Sequence, residues 1–281
     1  MIEIEDGDIV TVNIILFPHS QMEISVDYMS GWNLVGLPLE GGDPEGNCSS
    51  VSDAFGFTYE GYTEVEDLFP GSGYWLRFSD ECTAEFSGDP IGWLTFDLMT
   101  GWNLISGISY PTHVSSITDY DGILVPNTVF GFDESGYTNA EYLEPGRGYW
   151  VRTYEEGQII ISSGIEDNSS TKTVILTNHL DGANTISFNG KSLHFGVDVP
   201  DEHRLSYSLP PKPFSGAFDV RFSGGCTYTE DYGEIELQGT NDFVTVQYDI
   251  FITAGEYMNW VLVDGFGTEY ILDGSGTISI S

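Results

Sequence analysis

Asp27-Tyr28-Met29-Ser30-Gly31-Trp32-Asn33-Leu34 returns, at an offset of 70, as Asp97-Leu98-Met99-Thr100-Gly101-Trp102-Asn103-Leu104. Further on, Phe55-Gly56-Phe57, Gly61-Tyr62-Thr63 and Pro70-Gly71-Ser72-Gly73-Tyr74-Trp75 return at an offset of 75. Their counterparts are Phe130-Gly131-Phe132, Gly136-Tyr137-Thr138 and Pro145-Gly146-Arg147-Gly148-Tyr149-Trp150. Arg77 and Arg152 match at the same offset. Self-similarity at a fixed period marks a duplicated supersecondary unit. The change of offset requires five extra residues, which we expect in the connection after Leu34 or Leu104, where loops absorb length at small entropic cost.

The unit reads as strands. Residues 32–37 and 73–78 mix aromatic and branched side chains with no 3.6-residue period. Glu60-Gly61 and Ser135-Gly136 lie between short aromatic runs, where a hairpin turn needs a glycine at positive φ. Pro70-Gly71 and Pro145-Gly146 mark turns before the last strand. One copy of about 65 residues buries a modest core, so the two copies are expected to pack together as one pseudo-twofold domain. Trp32, Trp75, Trp102 and Trp150 recur at equivalent places and are read as core, while Arg77 and Arg152 are expected to pair with local carboxylates.

After the polar stretch 164–170 the pattern changes. Val244, Val246, Tyr248 and Ile250 alternate with Thr245, Gln247 and Asp249, and Phe218, Val220 and Phe222 alternate with Asp219 and Arg221. Period-two runs separated by Gly and Asp turns argue for an antiparallel sandwich. Its strands are expected at 172–177, 184–188, 203–208, 216–223, 233–237, 242–252, 257–263, 268–272 and 277–281. Leu209-Pro210-Pro211-Lys212-Pro213 cannot donate a ladder of hydrogen bonds and reads as a crossing or edge segment. The chain is therefore expected to be all-β: a strand remnant of a preceding domain or a hairpin over 1–25, paired repeats over 26–165 (26–90 and 96–165), and a β-sandwich over 171–281.

Eight basic against 44 acidic side chains among 281 residues leave a formal charge of −36. Phosphate recognition needs clustered Lys and Arg, so nucleic acid and anionic membrane surfaces are not expected partners. No run approaches the ~18 apolar residues of a spanning helix, so membrane insertion is not expected. Met1 is followed by Ile-Glu-Ile-Glu, without the basic stretch of a signal peptide, and the expectation is an excised piece of a longer extracellular or cell-surface protein. Cys48, Cys82 and Cys226 contain no CxxC pair. A Cys48–Cys82 disulfide closing the first repeat suits an oxidising compartment, and Cys226 reads as a small buried thiol.

The Gly-Trp-Asn-Leu and Gly-Tyr-Trp blocks, followed by Leu205-Ser206-Tyr207-Ser208-Leu209-Pro210-Pro211 and Gly216-Ala217-Phe218-Asp219-Val220-Arg221-Phe222, resemble the C-terminal regions of large multidomain secreted bacterial proteins, often ones exported by the type IX route. The resemblance covers nearly the whole chain from about residue 26. It implies an extracellular, non-catalytic accessory role beside neighbouring domains of a parent chain.

Catalytic motifs are missing from the sequence. There is no Gly-x-Ser-x-Gly elbow, no HExxH among the five histidines, and Gly71-Ser72-Gly73 precedes a strand rather than a phosphate-binding helix. An enzyme working through a carboxylate pair is the least favoured reading. No cofactor is assigned. Structural calcium remains open at Glu40–Asn47, at Asp119-Tyr120-Asp121-Gly122, and at Asp198 with Asp201 and Glu202. Binding through exposed aromatics is the favoured activity: Tyr62 and Tyr137 follow the hairpin turns, Trp93 and Trp260 lie outside the repeat, and rings offered to solvent stack on sugars. Polysaccharide or a cell-surface component is then the partner. The alternative is a structural spacer or protein-docking, secretion-associated module with no glycan binding.

Overall fold

The computed structural model describes residues 21–41, 48–164, 177–239, 244–251 and 259–280. The first repeat contains β1 (Met22–Tyr28), β2 (Gly31–Gly36), β3 (Leu39–Glu40), β4 (Ala54–Thr58), β5 (Gly61–Val65), β6 (Gly73–Phe78) and β7 (Cys82–Pro90). The second contains β8 (Trp93–Leu98), β9 (Gly101–Ser106), β10 (Thr112–His113), β11 (Phe130–Asp133), β12 (Gly136–Asn139), β13 (Tyr142–Leu143), β14 (Gly148–Thr153) and β15 (Gly157–Ser162). The last third carries β16 (Asn184–Phe188), β17 (Lys191–Phe195), β18 (Asp219–Phe222), β19 (Tyr228–Thr229), β20 (Ile235–Gln238), β21 (Val244–Asp249), β22 (Trp260–Val263), β23 (Glu269–Leu272) and β24 (Ser275–Ile280). The protein is all-β, as its sequence predicts.

The two repeats share a strand order. In the first, the order β2-β6-β4-β5 forms a four-stranded sheet, and in the second β9-β14-β11-β12 does the same. The Gly-Trp-Asn motif explains itself locally. Gly31 and Gly101 turn the chain at φ +86° and +93°. The amide of buried Asn33 then accepts from Met29 N and donates to Met29 O and Gly31 O, and Asn103 does likewise with Met99 and Gly101. In the Gly-Tyr-Trp motif the tyrosine hydroxyl accepts a backbone N–H five residues upstream, Phe69 for Tyr74 and Glu144 for Tyr149. The glycine is dictated by the other repeat: a Cβ on Gly73 would strike Ile105 O, and one on Gly148 would come within 2.9 Å of Val35 O.

Contacts between the repeats are reciprocal. Val35 bridges Arg147 while its counterpart Ile105 bridges Ser72. Gly36 N donates to Gly146 O while Ser106 N donates to Gly71 O. Trp150 meets Phe57 edge-on at 4.7 Å while Trp75 meets Phe132 at 4.8 Å. Each is a pair in which residue i of one unit does to j of the other what j does to i, the pattern of an isologous interface.

Three details differ from the sequence expectation. β1 begins at Met22 and pairs along its whole length with β7, so the first repeat starts before residue 26; residues 1–20 lie outside those described. The segment expected as a strand over 203–208 is a 3₁₀ helix, Asp201–Tyr207, preceded by Pro200. The insertion is divided: Ser49 and Ile123 already occupy equivalent positions, accepting from Ser79 N and Tyr154 N, so four residues fall before them and one between there and Phe130. The expected strand 172–177 lies almost wholly outside the described residues.

In the last third β19-β17-β16-β21-β24 form a five-stranded sheet, with β18-β20 and β22-β23 as two-stranded partners. Ile186, Phe188, Leu193, Phe195, Val220 and Phe222 fill the core between them with Val244 and Val246. The alternation in β21 places Val244 and Val246 inside and Thr245 and Gln247 outside, as expected.

Candidate functional site

The aromatic residues of the repeats gather into one trench between the two four-stranded sheets. Trp75 and Trp150 are fully buried at its base, with Leu34, Leu104, Phe130 and Tyr137, and Trp32, Phe55, Phe57, Tyr62, Trp102 and Phe132 form its half-buried walls. The indole N–H groups of Trp75 and Trp150 have no hydrogen-bond partner. Ring burial and edge-to-face packing therefore hold these two residues, worth about 0.5–1.5 kcal/mol per aromatic pair beyond area.

The trench is filled by the chain's own segment Leu209-Pro210-Pro211-Lys212-Pro213-Phe214. Leu209 packs among the buried residues of the trench, and Phe214 stacks on Trp32 at 4.4 Å and lies 4.6 Å from Phe55. Pro210, Pro211 and Pro213 have no N–H to offer a ladder, so the strap is held mainly through its carbonyls, and buried carbonyls need donors. Side chains supply them one after another. Arg221 Nη1 donates to Pro210 O at 2.7 Å, Tyr137 Oη to Pro211 O at 2.7 Å, and Tyr62 Oη to Lys212 O at 2.9 Å. Gln238 Nε2 donates to Pro213 O at 3.1 Å and Trp32 Nε1 to Ser215 O at 3.2 Å. Lys212 itself reaches Glu236 at 2.8 Å. Donors come from both repeats and from the sandwich, so the strap ties all three together.

Arg221 is held for this task by a bidentate pair with Asp219, Nε to Oδ2 at 2.5 Å and Nη2 to Oδ1 at 2.7 Å, both side chains buried. A buried ion pair is tolerated when geometry is bidentate and the remaining donor finds an acceptor, here Pro210 O. Alternation in the sequence assigns Asp219 and Arg221 to a solvent face, and burial of all four β18 residues overturns that. Burial also pushes the Tyr62 phenol up to about 12 and the Tyr137 phenol well above its ordinary range, so both stay protonated as donors.

Of the residues expected to meet a ligand, Tyr62 and Tyr137 do come together, both within reach of Pro211 O. They face the strap rather than solvent, and Tyr137 is only 5% exposed, because the proline segment covers the hairpin turns. Trp260 is half-buried, edge-on to Phe195 at 4.9 Å. Trp93 is 66% exposed on β8, opposite Ser162. The four residues do not form one site. Arg152 stacks over Trp102 at 5.5 Å, and neither it nor Arg77 has a carboxylate within ion-pair distance among the described residues. Sequence reading missed Trp32, Arg221 and Gln238 as partners of the strap, and Phe214 as its anchor, although the proline run was itself the signal.

Cys48 and Cys82 are disulfide-bonded, and Cys226 is free and half-buried. At the proposed calcium loops, Asp119 spends its carboxylate on the amides of Gly122, Ile123 and Leu124, at 2.9 to 3.0 Å, and Asp201 pairs with Arg204 at 3.0 Å. Residues 42–47 lie outside those described, and among the described residues no group of three or more metal-ligating side chains occurs. No described helix is long and apolar enough to cross a membrane. Comparison with family models, with curated proteins and with solved structures finds no match.

Proposed function

We propose that the chain is a non-catalytic accessory module of a larger secreted protein and acts as a stiff joint, fixing the paired repeats to the sandwich so that whatever adjoins either end is held at a set orientation. One observation carries this: the surface best suited to grip a ligand is filled by the chain's own strap, with carbonyls 210, 211, 212, 213 and 215 each paired to a side-chain donor. Domains joined by small polar contacts move relative to one another by default. A strap whose carbonyls are paired to both sides opposes that motion. The disulfide and the charge of −36 suit an oxidising, extracellular setting.

Chymotrypsin digestion with mass spectrometry, beside small-angle scattering, tests the joint. The wild-type chain is expected to resist cleavage after Phe214 and to scatter as one particle of fixed shape, while a Trp32→Ala, Tyr62→Phe, Tyr137→Phe triple variant is cut there and broadens. Rapid cleavage after Phe214 in the wild type would overturn the reading. Glycan binding is favoured by a single observation, the exposed ring of Trp93. Affinity gels carrying insoluble glucans and xylans, run with Trp93→Ala as control, decide it: retention lost in the variant supports it, and no retention of the wild type removes it.

A further inference from the structure

The strap reads almost alike from either end. Leu209-Pro210-Pro211 runs apolar, proline, proline, and Phe214-Pro213-Lys212, taken backwards, runs apolar, proline, lysine. Proline fixes φ at about −65° and keeps the residue before it extended, so a segment with prolines at 210, 211 and 213 is confined to the polyproline II region. That helix has no internal hydrogen bonds. In keeping with it, carbonyls 210 to 213 accept no backbone hydrogen bond among the described residues and turn to side chains instead.

The trench that receives the strap is two-sided in the same way. Phe214 lies 4.4 Å from the ring of Trp32, 4.6 Å from Phe55 and 4.8 Å from Tyr62, all in the first repeat. Their counterparts in the second repeat are Trp102, Phe130 and Tyr137, and Leu209 lines a cleft beside the trench with Phe130 and Tyr137. The centre follows suit. Tyr137 Oη donates to Pro211 O at 2.7 Å and its counterpart Tyr62 Oη to Lys212 O at 2.9 Å. Each repeat thus seats one apolar end and pairs one of the two central carbonyls.

A polyproline II segment rises about 3.1 Å per residue with its carbonyls pointing outward, so reversing the chain changes its outline little. Aromatic-lined grooves suit such segments, whose stiff backbone has little entropy left to lose on binding. Charge narrows the ligand further. Lys212 reaches Glu236 at 2.8 Å at the rim of the trench, and a net charge of −36 attracts cations at range.

We propose that the paired repeats form a receptor for basic proline-rich peptides of the pattern apolar-Pro-Pro-Lys-Pro-apolar, bound in either chain direction, and that the strap is its resident ligand. The receptor goes beyond the stiff joint and shares with it only the strap's seat in the trench.

An incoming peptide competes with a tethered strap at an effective concentration of roughly millimolar, so the test opens the trench first. In the full chain, Leu209→Ser with Phe214→Ser removes both apolar ends of the strap, and Phe214→Ser alone is the milder variant should the double one fold poorly. Calorimetry with three capped hexapeptides reads binding: Leu-Pro-Pro-Lys-Pro-Phe, its reversal Phe-Pro-Lys-Pro-Pro-Leu, and Leu-Ala-Ala-Lys-Ala-Phe. The first two are expected to bind an opened chain within tenfold of each other, with the alanine peptide at least tenfold weaker. The wild-type chain, its trench occupied, is expected to bind at least tenfold more weakly than the opened one. Adding Tyr137→Phe weakens the first peptide about fivefold, the equivalent of one hydrogen bond. Absence of binding to both opened chains at millimolar peptide, a preference above tenfold for one direction, or equal binding of the alanine peptide would each overturn the proposal. So would equal binding by the wild type or no effect of Tyr137→Phe. Cleavage after Phe214 in the wild type bears on the joint alone, because an opened trench takes peptide whether or not the strap stiffens the chain.

Discussion

The first repeat closes its outer end with a covalent bond and the second closes the equivalent place by packing. Cys48 is tied to Cys82, which lies opposite Tyr28. In the second repeat the matching hydrogen bonds, Val51 N to Arg77 O against Val125 N to Arg152 O, set Gly122 in register with Cys48 and Gly157 with Cys82. No sulfur is available there. Ile123, 1% exposed, fills the space instead, and a Cβ on Gly157 would come within 3.0 Å of its Cδ1. Ile108, Ile117 and Leu143 extend that packing. Much of what faces the other copy is matched in the two repeats, although Tyr28 Oη to Gly146 O and Arg147 to Asp27 O have no counterpart at Leu98 and Ser72, and what faces outward differs. Because both copies lie in one chain, a substitution at the shared interface changes one contact of each matched pair and leaves its counterpart as an internal reference, whereas the outer ends answer only to their own core.

The largest effects should come from breaking that sameness. Trp75→Ala and Trp150→Ala each remove a fully buried ring from the shared cluster and are expected to cost about 4 kcal/mol apiece, read by denaturant unfolding. The two costs should agree to about 1 kcal/mol. A much cheaper loss on one side would show that the reciprocal contacts are unequal in energy.

Closure of the outer ends comes next. Cys48→Ser with Cys82→Ser is expected to cost about 3–4 kcal/mol by releasing a loop of 34 residues. Ile123→Ala should cost about 3 kcal/mol through lost burial and a cavity. Dithiothreitol separates them: it should destabilise the wild type and the Ile123→Ala chain but leave the serine variant unmoved. Smaller again are Asn33→Ala and Asn103→Ala, about 2 kcal/mol each, because each strips two backbone carbonyls and one amide of their partner.

These same residues show what could be read in advance. The repeat, its strands and the disulfide were legible because local rules write them directly: positive-φ glycines at turns, alternation within strands, two cysteines in one unit. Recurrence of Trp32, Trp75, Trp102 and Trp150 reads all four as core, and Trp75 and Trp150 are fully buried while Trp32 and Trp102 are only half-buried at the edge of the same cluster. The strap's seat was not legible. Leu209–Pro213 advertises that it cannot join a ladder, but which donors satisfy its carbonyls depends on Tyr62, Tyr137, Trp32, Arg221 and Gln238 converging from three parts of the chain. Asp219 and Arg221 misled for that reason, since alternation assigns them outward and only a segment folding over them makes that face interior.

The finest comparison is between the two tyrosines that hold the strap. Tyr137→Phe leaves Pro211 O with only the 3.4 Å approach of Tyr62, and should cost about 1 kcal/mol. Tyr62→Phe uncovers Lys212 O, on an exposed residue where water can replace the hydroxyl, and should cost about 0.5 kcal/mol. Both phenols are raised by burial, Tyr62 to about 12, from the ordinary 10. The folded chain thus keeps these protons where the unfolded chain loses them, and the bound-proton difference turns against folding only above pH 10. Their contribution is whole below pH 10 and falls as pH rises towards about 12. The alkaline limb of stability, followed by denaturant midpoint and by tyrosinate absorbance, should therefore flatten in Tyr62→Phe and Tyr137→Phe. Tyr59→Phe, at an 85% exposed position, should leave it unchanged. An alkaline limb identical in all three variants would mean that the strap tyrosines are open to water, and the tie between repeats and sandwich would lose its two central donors.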